Sequence, residues 1–146
     1  NGIIAMGFKR YGFAEEAAKI ARDISEAGRY FQLNRLPELY AGTERGAGTF
    51  PVQYLGANVP QAWAAGSVFH LLRAMLGLDA DAAKHRLYLD PLLPSWLPDL
   101  TVRQLRVGKA TLDLRFWREG TITRHEVLGV QGEVRVETRD QSRMQH

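Results

Sequence analysis

The chain has 146 residues, of which 45% are hydrophobic and 24% are charged, and its formal net charge is +3. One domain is the expectation for this length, and the hydrophobic fraction is sufficient for a buried core. The 19 basic and 16 acidic residues are interspersed along the sequence rather than grouped. We therefore expect no nucleic-acid partner.

Cysteine is absent, which excludes a disulfide framework and a thiolate metal site and agrees with a reducing compartment. No apolar run reaches the roughly 20 residues that a membrane helix needs, and no segment has the pattern of a signal peptide. We therefore expect a cytoplasmic protein with no membrane partner. The first residues, NGIIAMGF, lack an initiator Met and resemble the inside of an apolar segment, so we interpret the chain as a piece of a longer protein.

An amphipathic helix is predicted after the break at Tyr11 and Gly12. Glu15 and Glu16 fall in its first turn, where the helix dipole favours acidic side chains. Its apolar residues recur at helical spacing, and they are Phe13, Ala17, Ile20, Ala21, Ile24, Ala27 and Phe31. The other face is charged, so this helix should lie on the outside of an assembly of helices.

A long loop over residues 32–59 carries the main candidate site. Loops of this size are usually functional or disordered, and the aromatic and proline content of this one argues against disorder. Pro37 fixes its own φ and biases Leu36 toward an extended shape, so Glu38 follows a stiff backbone. Such a carboxylate suits acid/base chemistry on a sugar, although an ordinary solvated loop residue is the alternative. The nearby side chains that could contact a sugar are Arg35, Tyr40 and Tyr54.

A second helix is predicted up to Leu76, with Asn58 as its cap, Pro60 in its first turn and Gly77 at its end. Its apolar residues cover every face, which predicts a helix that is buried on all sides.

Two residues at the start of this helix lie next to the loop. Gln61 and Trp63 could face a sugar, but a Trp at such a place is more often part of the core. His70 is predicted to be an interior histidine, because no second His, Asp or Glu stands at a metal-binding offset. We expect no metal and no cofactor.

The pattern changes from Leu87 onward. LYLDPLLPSWLPDL predicts a strand followed by a connector that is interrupted by three prolines. Residues 100–137 alternate between apolar and polar, with turns at Gly108 and Gly120, and predict short antiparallel strands that pack on the helical part. The expected organisation is helical over 1–84, a small β subdomain over 85–138, and a frayed tail over 139–146.

The order of four segments resembles the C-terminal part of bacterial glycogen-debranching, amylo-α-1,6-glucosidase-type proteins. These segments are NGIIAMGFKRYGF, RLPELYAG, PVQYLGANVPQAWAAGSVFHLLRAMLGL and LYLDPLLPSWLPDLTVRQLRVGKATLDLRFWREG. That family belongs to the six-hairpin glycosidases. The resemblance implies a mainly α fold with a C-terminal antiparallel β tail, that is, a partial (α/α)6 toroid followed by a small sheet.

For the chemistry, the resemblance implies a catalytic carboxylate in the loop before the last helix, where Glu38 is the matching residue and the general base. Arg35 would bind a sugar hydroxyl or pair with Glu38, and pairing would lower the Glu38 pKa. Inverting hydrolysis needs a second carboxyl roughly 6.5–9.5 Å away. Glu44 and Glu126 are interpreted as solvated residues, so the general acid is expected elsewhere. The implied substrate-binding residues are Arg35, Tyr40, Tyr54, Gln61 and Trp63.

Three functional classes follow from these observations. The first is a fragment of an inverting glycoside hydrolase that acts on α-glucans and is inactive alone; its partners would be the glucan and the remainder of the toroid. The second is a non-catalytic carbohydrate-binding or structural module, with Tyr54, Trp96 and Trp117 as exposed candidates. The third, a basic nucleic-acid binder, is disfavoured by the interspersed charges. An open apolar face on the helical part should also cause self-association.

Overall fold

A computed structural model describes residues 1–44 and 46–139 of the chain. Within these residues there are three α-helices, namely α1 (Gly2–Arg10), α2 (Ala14–Gly28) and α3 (Ala62–Leu76). The strands are β1 (Asp79–Asp81), β2 (Arg86–Leu89), β3 (Asp99–Val107), β4 (Ala110–Glu119), β5 (Ile122–Gln131) and β6 (Arg135–Thr138). Single 3-10 turns occur at Gln32–Asn34 and Ala82–Lys84.

The three helices pack against one another through small side chains. The buried residues of this cluster are Ala5, Ala17, Ala21, Leu71, Ala74 and Met75. At the contact of α1 with α3, a Cβ atom placed on Gly2 would lie 2.9 Å from the His70 Cβ. Alanine and glycine therefore allow the helix backbones to approach closely.

The amphipathic prediction for α2 is confirmed. Glu15 and Glu16 lie in its first turn, and its buried residues fall on one face. That face packs on α1 and α3, which leaves the charged residues on the outer side. The periodicity of the sequence was sufficient here because this helix has only one face to bury.

Helix α3 differs from the prediction in two respects. It begins at Ala62, and its cap is Gln61, whose side chain accepts a hydrogen bond from the Ala62 N–H at 2.9 Å. The expected cap, Asn58, is wrong. The prediction that α3 is buried on all sides is also wrong, because its residues 63, 68 and 69 are exposed: only one face contacts α1 and α2. Its end at Gly77, in the left-handed conformation, is confirmed.

Strands β3, β4 and β5 form an antiparallel sheet with that order. The predicted turns are confirmed, with Gly108 and Gly120 both at positive φ. Register shifts between Val102 and Leu105, and between Asp113 and Leu114, mark two irregularities in the sheet. One face of β4 is buried through Ala110, Leu112, Leu114 and Phe116, as the alternating pattern indicated.

A second sheet has the order β1-β2-β6. Strand β2 pairs antiparallel with β1 but parallel with β6, so that Leu87 lies opposite Val136. Both sheets and the end of α3 contribute to one core, which consists of Leu76, Leu87, Leu89, Leu93, Val107, Leu112, Leu114 and Phe116.

The predicted fold class, a mainly α partial toroid followed by a small β tail, is wrong. The described residues form a mixed α/β domain that is 33% helical and 30% strand, with two three-stranded sheets. Two features explain the difference. The long loop adds no α-helix, so the helices form one small cluster, and the strands build a larger leucine-rich core of their own.

The helical cluster is joined to the sheets by the segment after β2. The Asp90 N–H donates to the Leu76 carbonyl at 3.3 Å, and the Leu92 N–H donates to the Met75 carbonyl at 2.7 Å. These bonds use carbonyl groups at the end of α3 that the helix itself leaves unpaired.

Two further observations concern the ends of the chain and its helices. The Arg139 N–H donates to the Leu89 carbonyl at 2.7 Å, and the rest of the predicted frayed tail, residues 140–146, lies outside the described residues. No helix in the described part of the chain is long and apolar enough to cross a membrane.

Candidate functional site

The loop that carries Glu38 folds back on itself as a short irregular ribbon. The Ala41 N–H donates to the Val52 carbonyl at 2.8 Å, and the Tyr54 N–H donates to the Leu39 carbonyl at 3.1 Å. Between these bonds, Tyr40 and Gln53 form an isolated antiparallel bridge. The backbone of the loop is therefore held by its own hydrogen bonds on both sides of Tyr40.

The entry to this ribbon is conformationally restricted. Leu33 and Asn34 both have positive φ, at 56° and 54°, a region that costs an L-residue about 1–2 kcal/mol. Leu36 then packs against the end of α2, where a Cβ on Gly28 would lie 3.2 Å from its Cδ2. Pro37 is buried. These features fix the backbone immediately before Glu38.

The Glu38 carboxylate is held by Asn58. Its Oε2 accepts hydrogen bonds from the Asn58 backbone N–H at 3.0 Å and from the Asn58 Nδ2 at 2.9 Å. The Glu38 N–H in turn donates to the Asn58 carbonyl at 3.1 Å. The two residues therefore form three hydrogen bonds across 20 positions of sequence.

These contacts lower the pKa of Glu38. The Asn58 backbone N–H is the largest cause; burial acts in the opposite direction, and the Asn58 and Gln61 side chains lower the pKa further. Arg35 is exposed and is not among these groups. The lowered pKa of Glu38 therefore does not come from an ion pair with Arg35, which was one of the two roles expected for that residue. The carboxylate is ionised at neutral pH and can only accept protons.

Tyr40 points into the body of the loop. Its ring lies edge-on to Phe31, with centroids 5.9 Å apart, and its hydroxyl is buried without a hydrogen-bond partner among the described residues. Burial raises the pKa of Tyr40. A buried hydroxyl without a hydrogen-bond partner lowers the stability of the fold. Tyr40 is therefore a residue of the loop interior, unlike the candidates that are exposed to solvent.

Two of the predicted sugar-contacting aromatics lie at the surface. The Tyr54 side chain is 55% exposed and the Trp63 side chain 66% exposed. Tyr54 is anchored near Glu38 because its N–H binds the carbonyl of Leu39. Trp63 lies in the first turn of α3, just after Gln61. Exposed rings of this kind are suited to stack on the apolar faces of sugars or on other apolar surfaces.

The hydrogen bonds to the Glu38 Oε2 come from Asn58 and not from the other candidates. Glu44 is exposed in the loop. Glu126 lies on β5 opposite Arg115 of β4. The Trp117 Nε1 donates to Glu119 at 3.0 Å, while Trp96 lines an apolar cavity of about 360 Å³ between α2, α3 and the connector.

Sequence reasoning missed Asn58 as a site residue. Its position just before a proline and a helix indicated a cap, which is the commonest use of Asn at such a place. The structure gives that task to Gln61 and leaves the Asn58 side chain for Glu38. Residues 38 and 58 are 20 positions apart, so no local sequence pattern could have predicted their contact.

Residues 1–44 and 46–139 contain no group of three or more His, Asp or Glu side chains that could hold a metal ion. His70 lies in the contact between α1 and α3, against Gly2. The interior position predicted for His70 is met only in part, because the residue is half-buried there.

No family model and no curated protein matches the sequence. The arrangement around Glu38 is therefore the basis for a functional proposal.

Proposed function

We propose that this chain is part of an inverting glycoside hydrolase of the glycogen-debranching type, that it acts on α-glucans, and that Glu38 is its general base. The observation that carries the proposal is the Glu38 carboxylate itself. It follows a restricted backbone and accepts two hydrogen bonds on one oxygen. A general base must be ionised and fixed before it can take a proton from water.

The proposed mechanism also requires a general acid. In inverting hydrolysis the acid stands roughly 6.5–9.5 Å from the base and protonates the leaving oxygen while the base activates a water on the opposite face of the sugar. Glu44 and Glu126 are not assigned this role. The proposal therefore places the acid in another part of the hydrolase, which would be the partner of this chain, and the chain alone should be inactive.

In the proposal, several side chains bind the substrate. Tyr54 and Trp63 stack on glucose units, since both rings are exposed. Arg35 and Gln61 donate to sugar hydroxyls. Tyr40 acts from inside the loop and maintains the shape of the ribbon.

The test of Glu38 is its replacement by Gln in a hydrolase that contains this chain. Glu38→Gln keeps the size of the side chain but cannot accept the proton, so turnover should fall by about 10²–10⁴ with substrate binding nearly unchanged. Glu44→Gln is the matched control and should change neither quantity. Full activity in Glu38→Gln would remove Glu38 from the mechanism, and equal losses in both variants would indicate a general disturbance of the loop.

A second candidate function is carbohydrate binding without catalysis, which the exposed Tyr54 and Trp63 also support. The isolated chain should then be retarded in a gel that contains glycogen. Trp63→Ala should abolish the retardation, whereas Trp117→Ala should not, because Trp117 is engaged by Glu119 and Arg115. This alternative would be favoured if retardation of the isolated chain persists in Glu38→Gln and a hydrolase that contains this chain keeps full activity with the same substitution.

The proposal has two further parts. It places the protein in the cytoplasm, for which the absence of cysteine gives support. It also includes association through the exposed apolar residues of α1 and α3, which are Ile3, Ile4, Trp63, Val68 and Phe69.

A further inference from the structure

One asparagine supplies most of the hydrogen bonds that orient the Glu38 side chain. Two donors of Asn58, the backbone N–H and the Nδ2, converge on Oε2. The carbonyl of the same residue accepts from the Glu38 N–H at 3.1 Å. The side chain and the backbone of Glu38 are thus fixed by a single partner.

Gln61 lies beside this contact. Its Oε1 accepts from the Ala62 N–H at 2.9 Å and caps α3, and its side chain also helps to lower the pKa of Glu38. The two hydrogen bonds to the carboxylate oxygen Oε2 come from Asn58.

The two oxygens of the carboxylate differ in consequence. An oxygen that already accepts two hydrogen bonds has little remaining capacity to accept another and is the poorer site for a proton. We propose that Asn58 is a positioning residue for the base: it occupies Oε2, so that Oε1 is the atom that takes the proton from the hydrolytic water. This inference rests on the proposed role of Glu38 as general base. It adds the residue that orients the carboxylate, Asn58, and the carboxylate oxygen that takes the proton, Oε1.

The first test does not depend on activity. The carboxyl carbon of Glu38 is followed by NMR through a pH titration of the chain, in the native sequence and in Asn58→Asp and Asn58→Ala. Asn58→Asp keeps the size but replaces the Nδ2 donor by a carboxylate oxygen, whereas Asn58→Ala removes the side-chain donor alone. The pKa of Glu38 should rise in both variants, and more in Asn58→Asp because a like charge is added.

Thr49→Ala is the control for this titration. The Thr49 Oγ1 accepts from the Gly46 N–H at 2.9 Å and donates to the Gly46 carbonyl at 2.8 Å, so the variant disturbs the same loop outside the Glu38–Asn58 contact. Its Glu38 pKa should equal that of the native chain. An unchanged pKa in both Asn58 variants would overturn the inference, and so would an equal rise in Thr49→Ala, since that would assign the effect to loop structure in general.

The second test uses the pH profile of a hydrolase that contains this chain. In Asn58→Asp the acid limb of kcat/KM should move to higher pH. The value of kcat should fall about tenfold, the size expected from one lost hydrogen bond to a charged group, with KM little changed. A change in KM with an unmoved acid limb would overturn the positioning role.

The two proposals fail in different ways. Full activity of Glu38→Gln would overturn the general-base role and, with it, the assignment of the proton to Oε1. If instead Glu38→Gln is inactive and the acid limb of Asn58→Asp does not move, Glu38 remains the base and Asn58 loses its role.

Discussion

Lys9 Nζ and Asp90 Oδ2 lie 2.8 Å apart, and this ion pair joins α1 to the connector that follows β2. The Lys9 side chain is only 8% exposed and that of Asp90 is 25% exposed. Burying a charge is unfavourable unless it is paired. The pair therefore links the helical cluster to the sheets, and removal of either charge would leave the other one unpaired in a mostly buried place.

We predict that Lys9→Met lowers the free energy of unfolding by about 2–3 kcal/mol, because it leaves the Asp90 carboxylate without its cation in a mostly buried place. Arg115→Met is the control. Arg115 Nη2 and Asp99 Oδ2 lie 2.7 Å apart, but each side chain is 48% exposed, so the loss of stability should be clearly smaller than in Lys9→Met. Urea denaturation measures both, and equal losses would contradict the structural role of the Lys9 pair.

A second prediction concerns Gly77, where α3 ends against the connector. Its φ is +59°, and an added Cβ would lie 2.5 Å from the Asp90 carbonyl oxygen. Gly77→Ala should therefore lose more than about 2 kcal/mol, from the left-handed conformation together with the clash. Gly120 has a similar φ of +63° and nothing within 4 Å, so Gly120→Ala should lose only about 1 kcal/mol. Thermal or urea unfolding that ranks Gly120→Ala as the more damaging variant would refute the close approach at Gly77.

Local patterns in the sequence predicted local structure well. The amphipathic α2, the left-handed end of α3 at Gly77 and the turns at Gly108 and Gly120 all depend on neighbouring residues, and all are present. The parallel pairing of β2 with β6 joins segments about 50 residues apart, and no periodicity within either strand specifies it. The predicted fold class was wrong because it depended on such pairings between distant segments.

The candidate site shows the same division. The stiff backbone before Glu38 could be predicted from Pro37, but the contact of Glu38 with Asn58 could not, because it depends on how the loop folds back. The exposure of Trp63 was not predicted, since a Trp at the start of an apolar helix is more often part of the core. Only the packing of α3 on one side decides it.

A third prediction concerns association through the apolar residues of α1 and α3. Ile3 and Phe69 flank the contact between Gly2 and His70, and both are 72% exposed. Exposed apolar surface of this kind favours contact with another molecule. We expect the isolated chain to self-associate in sedimentation velocity and Phe69→Lys to reduce the association.

The control for association is Ile122→Lys, which changes an exposed residue of β5 away from the helices and should leave the association intact. A chain that is monomeric at every concentration tested would contradict the prediction. So would an equal effect of the two substitutions, because the contact would then not be specific to the helices.

The last prediction is the pH dependence that the Glu38 contact implies. The pKa of Glu38 lies below its ordinary value of 4.5 in the folded chain, so the unfolded chain binds the proton more readily. The stabilisation is therefore fully present above pH 4.5 and is lost as the pH falls through the lower pKa of the folded state. Glu38→Gln should be less stable than the native chain at pH 7, and the difference should shrink as the pH falls below 4.5.

Urea denaturation of both chains at pH 7, 5 and 3 measures this difference. Glu44→Gln, which changes a carboxylate of the same loop outside the Glu38–Asn58 contact, is the control and should not follow the same course. A difference between the native chain and Glu38→Gln that stays constant down to pH 3 would mean that the hydrogen bonds from Asn58 do not depend on the charge of Glu38. The carboxylate would then be an ordinary polar contact of the loop, and its suitability as a base would lose its physical support.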